Sequence, residues 1–195
     1  WNAMLEGPNY VSVRVYDKAG NSSALADAFY VRKDTTVPSA SALLSPADLA
    51  FARTLTPALD WADSSDGTSG ISGYEALVST DSGFSVTASS GAAAASQFTA
   101  ALAMSTTHYW KARSKDNAGN YSGYASAYSL VVDTVAPAIT DGQAGEFSWR
   151  KAGGGTLYNV DFADGLSTLD TLQYSAWTGA GQTGANPVAW TNIAA

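Results

Sequence analysis

Val11, Val13 and Val15 alternate with Ser12, Arg14 and Tyr16, the period-two pattern of a strand with one buried face. Asp17-Lys-Ala-Gly-Asn21 follows as a turn. Gly20 can take a positive φ there, and the side chains of Asp17 and Asn21 can bond nearby backbone amides. Ala28 to Val31 reads as the returning strand. Asp34-Thr-Thr-Val-Pro38 then ends the ladder, because proline has no amide to extend it. The passage returns downstream as a strand from Tyr109 to Arg113, a turn holding Asp116, Gly119 and Asn120, and a strand from Tyr128 to Val132. Asp133 and Pro137 close this second copy. Asp17 and Asp116, Gly20 and Gly119, Asn21 and Asn120, Asp34 and Asp133, and Pro38 and Pro137 are each 99 residues apart. Solenoid units run about 20–50 residues, so this offset fits separately folding domains instead.

Between the proline borders the same rules predict a full set of strands. Leu55, Leu59 and Trp61 share one parity, as one face of an early strand requires. Asp63 to Gly73, rich in Asp, Ser and Gly, is a loop. Tyr74 to Ser79 is the next strand, Asp81 to Phe84 a turn, and Ser85 to Phe98 two edge strands and a turn. Trp61, Tyr74, Tyr109 and Trp110 are the expected core aromatics. About seven short strands at these intervals make a β-sandwich. Beyond Pro137, Tyr158 to Phe162, Asp170 to Trp177 and Val188 to Thr191 read as further strands.

This divides the chain into a closing hairpin (1–37), one complete sandwich (38–137) and the opening strands of another domain (138–195). A lone hairpin buries little apolar surface and is marginal in water. Two readings account for the ends. The chain is a window of a longer array, or residues 138–195 and 1–37 complete each other, within one chain or head-to-tail between copies.

Tyr-x-x-x-Arg, then Asp-x-Ala-Gly-Asn-x-Ser, Asp-Thr and Pro resembles tandem bacterial fibronectin type III or Ig-like repeats of large secreted and cell-surface proteins. The resemblance covers residues 10–38 and 55–137. It implies an all-β fold of tandem immunoglobulin/fibronectin type III-like β-sandwiches, with Trp61 and Tyr109 or its neighbour Trp110 in the core. Such repeats serve adhesion, spacing and the building of sheaths or filaments, and they sit beside the catalytic domains of secreted hydrolases.

Composition narrows the function. Across 195 residues the formal net charge is −7, the pI is near 4.4 and Cys is absent. The acidic balance argues against a nucleic-acid face, and no apolar run reaches the length of a membrane span. The first residues carry no basic segment followed by an apolar stretch, so a secreted parent would carry its signal upstream.

The chemistry on offer is sparse. His108 is the single histidine, nothing marks an activated serine, and a solvent-facing or rim position is expected for it. One His without Cys excludes an ordinary closed zinc site. The pairs Asp161/Asp164 and Asp63/Asp66 have glycosidase-like composition but are better read as turn formers. Calcium is the one ion worth carrying, with Asp17, Asn21, Asp34, Asp63, Asp66, Asp116, Asn120 and Asp133 as candidate oxygen donors; turn capping explains the same residues without an ion. Tyr121, Tyr124, Trp149, Trp177 and Trp190 are candidate ligand or interface aromatics, open to sugar stacking, repeat contacts or core roles. The expected function is non-catalytic: a structural repeat segment of an extracellular surface, sheath, filament or adhesin-like protein. Its partners would be neighbouring repeats or other copies of the chain. The alternative is a carbohydrate-binding or spacer module of a secreted hydrolase.

Overall fold

The computed structural model describes residues 2–142 and 160–193, and every regular element among them is a strand. The chain falls into two compact units, 1–134 and 135–195.

In the first unit, β1 (Gly7–Tyr16) and β2 (Ser22–Lys33) pair antiparallel as a two-stranded ribbon. The sandwich follows. One sheet holds β3 (Leu43–Ser45), β5 (Ala58–Trp61) and β8 (Gln97–Thr99) in the order β3-β5-β8. The other holds β4 (Ala50–Ala52), β6 (Ile71–Ser79), β7 (Thr87–Ala93), β9 (Thr107–Asp116) and β10 (Tyr128–Val132) in the order β4-β10-β9-β6-β7. The only parallel pair in that sheet is β4 with β10. The first strand thus crosses from one sheet to the other, through a cis Ser45-Pro46 bond between β3 and β4.

Alternation sets what is buried. In β9, His108, Trp110, Ala112, Ser114 and Asp116 point inward, and the residues between them lean toward solvent. Tyr74, Ala76 and Val78 do the same from β6, and Leu130 and Val132 from β10. Facing them are Leu43, Leu59 and Trp61 of the smaller sheet, in one continuous core. Trp61 meets Tyr74 edge-on at 5.7 Å between ring centroids, and Trp110 meets Tyr128 at 6.0 Å.

Four expectations change. Trp110 is the core residue of its strand, while Tyr109 points to the other face and is half-buried, since neighbours on a strand cannot share a side. Leu55 is exposed because β5 starts only at Ala58, so the shared parity of Leu55, Leu59 and Trp61 does not extend to it. His108 lies inside the sandwich instead of at its rim, on the same inward parity as Trp110. Val13 and Val15 are 48% and 66% exposed, because no second sheet lies over the β1-β2 ribbon among the described residues.

In the second unit β11 (Ala138–Asp141) pairs with β12 (Val160–Ala163), and β13 (Gln173–Ala176) with β14 (Val188–Asn192), all antiparallel. None of its described residues is buried. Its pairings parallel those of the sandwich: Ile139 faces Phe162 as Leu43 faces Trp61, and β13-β14 matches β6-β7 in order along the chain. Within the strand expected from Tyr158 to Phe162, Tyr158 falls outside the described residues.

Candidate functional site

The two Asp-x-Ala-Gly-Asn turns fold alike. In the first, Asn21 donates its amide to Asp17 Oδ1 at 2.8 Å and its side-chain nitrogen to Asp17 Oδ2 at 2.7 Å. In the second, Asn120 makes the same two bonds to Asp116, both at 2.8 Å. Gly20 and Gly119 take φ of 91° and 98°, the left-handed region that glycine enters without a steric cost. The surroundings differ. Asp17 is exposed, its pKa lowered by the Asn21 side chain and amide, whereas Asp116 is buried.

What covers Asp116 comes from two other segments. The Asn120 side chain also donates to the carbonyls of Asp34 and Thr36, both at 3.3 Å, on the border that follows β2. The loop before β6 closes from the other side, where the Asn117 side chain donates to the Ser69 carbonyl at 2.8 Å. That loop is built by Asp66, whose Oδ1 accepts the amides of Thr68, Ser69 and Gly70 at 2.8–3.0 Å. These amides hold the Asp66 carboxyl below its ordinary pKa. The border carries its own turn, in which Thr36 donates its amide to Asp34 Oδ1 at 2.9 Å.

Three of the six aspartates named as candidate donors are thereby brought together. Asp34, Asp66 and Asp116 each present a carboxylate oxygen, all within 4.8 Å of one another. Asp34 Oδ2 and Asp66 Oδ2 expose less than 1 Å² and accept no hydrogen bond. Asp17 and Asn21 lie at the exposed end of the ribbon, Asp63 is exposed on the loop, and Asp133 is buried just after β10; none belongs to this group. Pro38 is buried where the border enters the sandwich, and Pro137 is exposed.

The solvent face of β9 forms a second constellation. Lys111 Nζ lies 3.8 Å from the ring centre of Phe84 and 4.6 Å from that of Tyr124. The Arg113 guanidinium lies 4.1 Å from the Tyr121 ring and 4.5 Å from Tyr124. Arg113 also pairs with Glu75, which accepts the Tyr124 hydroxyl at 3.1 Å. Burial, then Glu75, raises the Tyr124 pKa. Both tyrosines therefore stack on cations, which takes ring surface away from a sugar. Trp177 is half-buried and donates to Ser175 Oγ, Trp190 is 60% exposed, and Trp149 lies outside the described residues.

In each candidate carboxylate pair one member, Asp66 or Asp164, builds a turn. Asp164 Oδ1 accepts the amides of Leu166, Ser167 and Thr168, the pattern of Asp66, and these lower its pKa as well. A general acid of a glycosidase needs the opposite shift. The shared Asp-Gly-x-Ser run at Asp66 and Asp164 is the signal that would have revealed this second repeated loop.

No protein-family model matches this chain. Exoglucanase B of Cellulomonas fimi is 29% identical over 210 residues, which takes in 92% of this chain and 18% of that protein. The chain thus spans under a fifth of the length of the curated relative it matches. A solved structure of Streptomyces avermitilis α-L-rhamnosidase complexed with L-rhamnose overlaps 46% of this chain and 10% of its own, with 16% identity and a TM-score of 0.35, too loose a likeness to carry weight.

Proposed function

We propose that the chain is a non-catalytic fibronectin type III-like spacer module of a secreted polysaccharide-degrading enzyme. The observation that carries this is the similarity of nearly the whole chain to a minor part of an exoglucanase. The turn-building use of Asp66 and Asp164 supports it, as does the stacking of Tyr121 and Tyr124 on cations in place of an open aromatic platform. A spacer needs stiff units and sites of attachment, and a sandwich with a sealed core supplies the first. Incubating the purified chain with soluble β-glucan and with crystalline cellulose tests the reading. Neither hydrolysis nor retention on cellulose is expected. Retention that disappears in Trp190→Ala would make the chain a binding module, and hydrolysis would overturn the non-catalytic reading.

A second reading, a repeat segment of an extracellular surface, sheath or filament protein, draws on the 99-residue offset and on the open apolar face of the β1-β2 ribbon. It predicts concentration-dependent head-to-tail association in analytical ultracentrifugation, where the spacer reading predicts a monomer.

A further inference from the structure

We propose that the cleft between the β1-β2 ribbon and the end of the sandwich binds a short neutral oligosaccharide. The cleft encloses about 690 Å³, within the range of small-ligand sites. Its ribbon wall carries Tyr10, Tyr30 and Arg32, and its sandwich wall carries Thr68, Ser69 and Asn117. One side is thus largely aromatic and the other polar but uncharged. A pyranose ring has the same two characters, an apolar C–H face and a rim of hydroxyls that both donate and accept. Such a site neither requires nor disturbs the spacer role.

The aromatic wall is open. Tyr10 and Tyr30 are cross-strand partners with ring centroids 6.0 Å apart, and they are 67% and 56% exposed. Alternation puts Tyr10 on the face of the ribbon opposite Val11. A single exposed ring is ordinary, whereas a matched pair on the wall of a cleft marks a contact surface. Among the described residues no cation lies over Tyr10, and Arg32 stands 5.7 Å from the Tyr30 ring centre. Tyr124 on the β9 face, by contrast, has two cations within 4.6 Å.

The polar groups around the cleft are unspent. Among the described residues the hydroxyls of Tyr10, Tyr30, Thr68 and Ser69 bond no other group of the protein, and the Arg32 guanidinium has no ion pair. The Asn117 side-chain nitrogen is held by the Ser69 and Gly70 carbonyls, which fixes the amide and leaves its oxygen as an acceptor. On the β9 face Arg113, Glu75 and Tyr124 satisfy one another instead. Charge selects the sugar. Lys33 at the cleft is paired with Glu6, and Arg32 is offset by Asp34, so the lining is close to neutral and favours a neutral sugar over a uronate or a phosphate. A walled cleft admits one soluble chain, while a crystal face needs a plane of rings, so retention on crystalline cellulose is still not expected.

The test is amide NMR of the full chain, titrated with cellohexaose, xylohexaose and mannohexaose. At least one of the three should give saturable shifts at residues 7–10, 30–34, 68–69 and 117–118, and leave residues 160–193 in place. Tyr10→Ala should weaken binding about tenfold, while Tyr10→Phe should hold it within about twofold, because the ring supplies the contact. Tyr16→Ala, which removes an exposed ring of the same strand outside the cleft, should bind as the parent does. The parent's own shift map decides the matter even where a variant fails to fold. No shift with any of the three sugars, shifts centred outside the cleft, or undiminished binding by folded Tyr10→Ala would overturn the assignment.

Discussion

In the ribbon of β1 and β2 and in the hairpin of β9 and β10, an Asp-x-Ala-Gly-Asn turn closes through the same backbone and side-chain bonds. Asn21 and Asn120 even match in which oxygen each nitrogen meets. Yet Ala112 is fully buried, while Val13, its counterpart 99 residues earlier, is half in water. The local code of turn and alternation is therefore enough to fold a hairpin. It is not enough to bury one. Burial is supplied by β5, β6 and their neighbours, which face or flank β9 and have no counterpart around β1 among the described residues.

The comparison should break most visibly in the core. Leu130→Ala removes a fully buried side chain and should cost about 2–5 kcal/mol in denaturant unfolding, whereas Val13→Ala on the open ribbon should stay within about 0.5 kcal/mol. Equal losses would mean that the ribbon is covered in solution.

The turns should differ next. Asp116→Ala leaves the Asn120 amide without its acceptor inside the structure and leaves the Asn120 side chain only the Asp34 and Thr36 carbonyls, an expected loss of about 1–3 kcal/mol. Asp17→Ala exposes the equivalent donors to water, and its midpoint should move measurably less.

A third contrast sits at His108, whose counterpart in the ribbon is Asn9. Asn9 is satisfied by local bonds to Leu5 and Gly7. His108 is fully buried with neither ring nitrogen in a well-formed hydrogen bond, and burial pushes its pKa down against a weaker opposing contact with the Thr106 backbone. A histidine with a lowered folded-state pKa binds its proton more readily when unfolded. Stability should thus be full above the unfolded pKa of about 6.5 and fall as pH drops through it toward the folded value. His108→Leu should flatten that slope between pH 7 and 5, as read by urea midpoints.

The smallest effect concerns Asp81 at the β6-β7 turn. The Val86 amide, with Ser79 and Ser85 behind it, lowers its pKa to about 2. Its contribution is present above the ordinary carboxyl pKa and lost as pH falls toward 2. Asp81→Asn should lower neutral stability slightly and flatten the acid limb below pH 4, so that parent and variant converge as pH falls toward 2.

These contrasts also mark how far the sequence could be read. Period two found β1, the 99-residue repeat carried that reading to β9 and β10, and the turn chemistry of Asp17 and Asp116 was legible because it is local. Three short pieces, β3, β4 and β11, escaped notice: three or four residues carry no periodicity, and what makes them strands is pairing with β5, β10 and β12. The burial of His108 was hidden for a related reason, since its parity with Trp110 shows only once β9 is known to start at Thr107. At the junction, Asp34, Asp66 and Asp116 were all named as oxygen donors. That they meet, while Asp63 and Asp133 stay apart from them, depends on how the border and the loop fold over the second turn, which spacing along the chain does not encode.

Amide hydrogen exchange, read segment by segment, tests most directly whether one motif is covered and the other open. Amides of residues 107–116 and 128–132 should exchange only through global unfolding. Those of 7–16 and 22–33 should exchange orders of magnitude faster, through local opening of a two-stranded ribbon. Equal protection in the two hairpins would contradict the account.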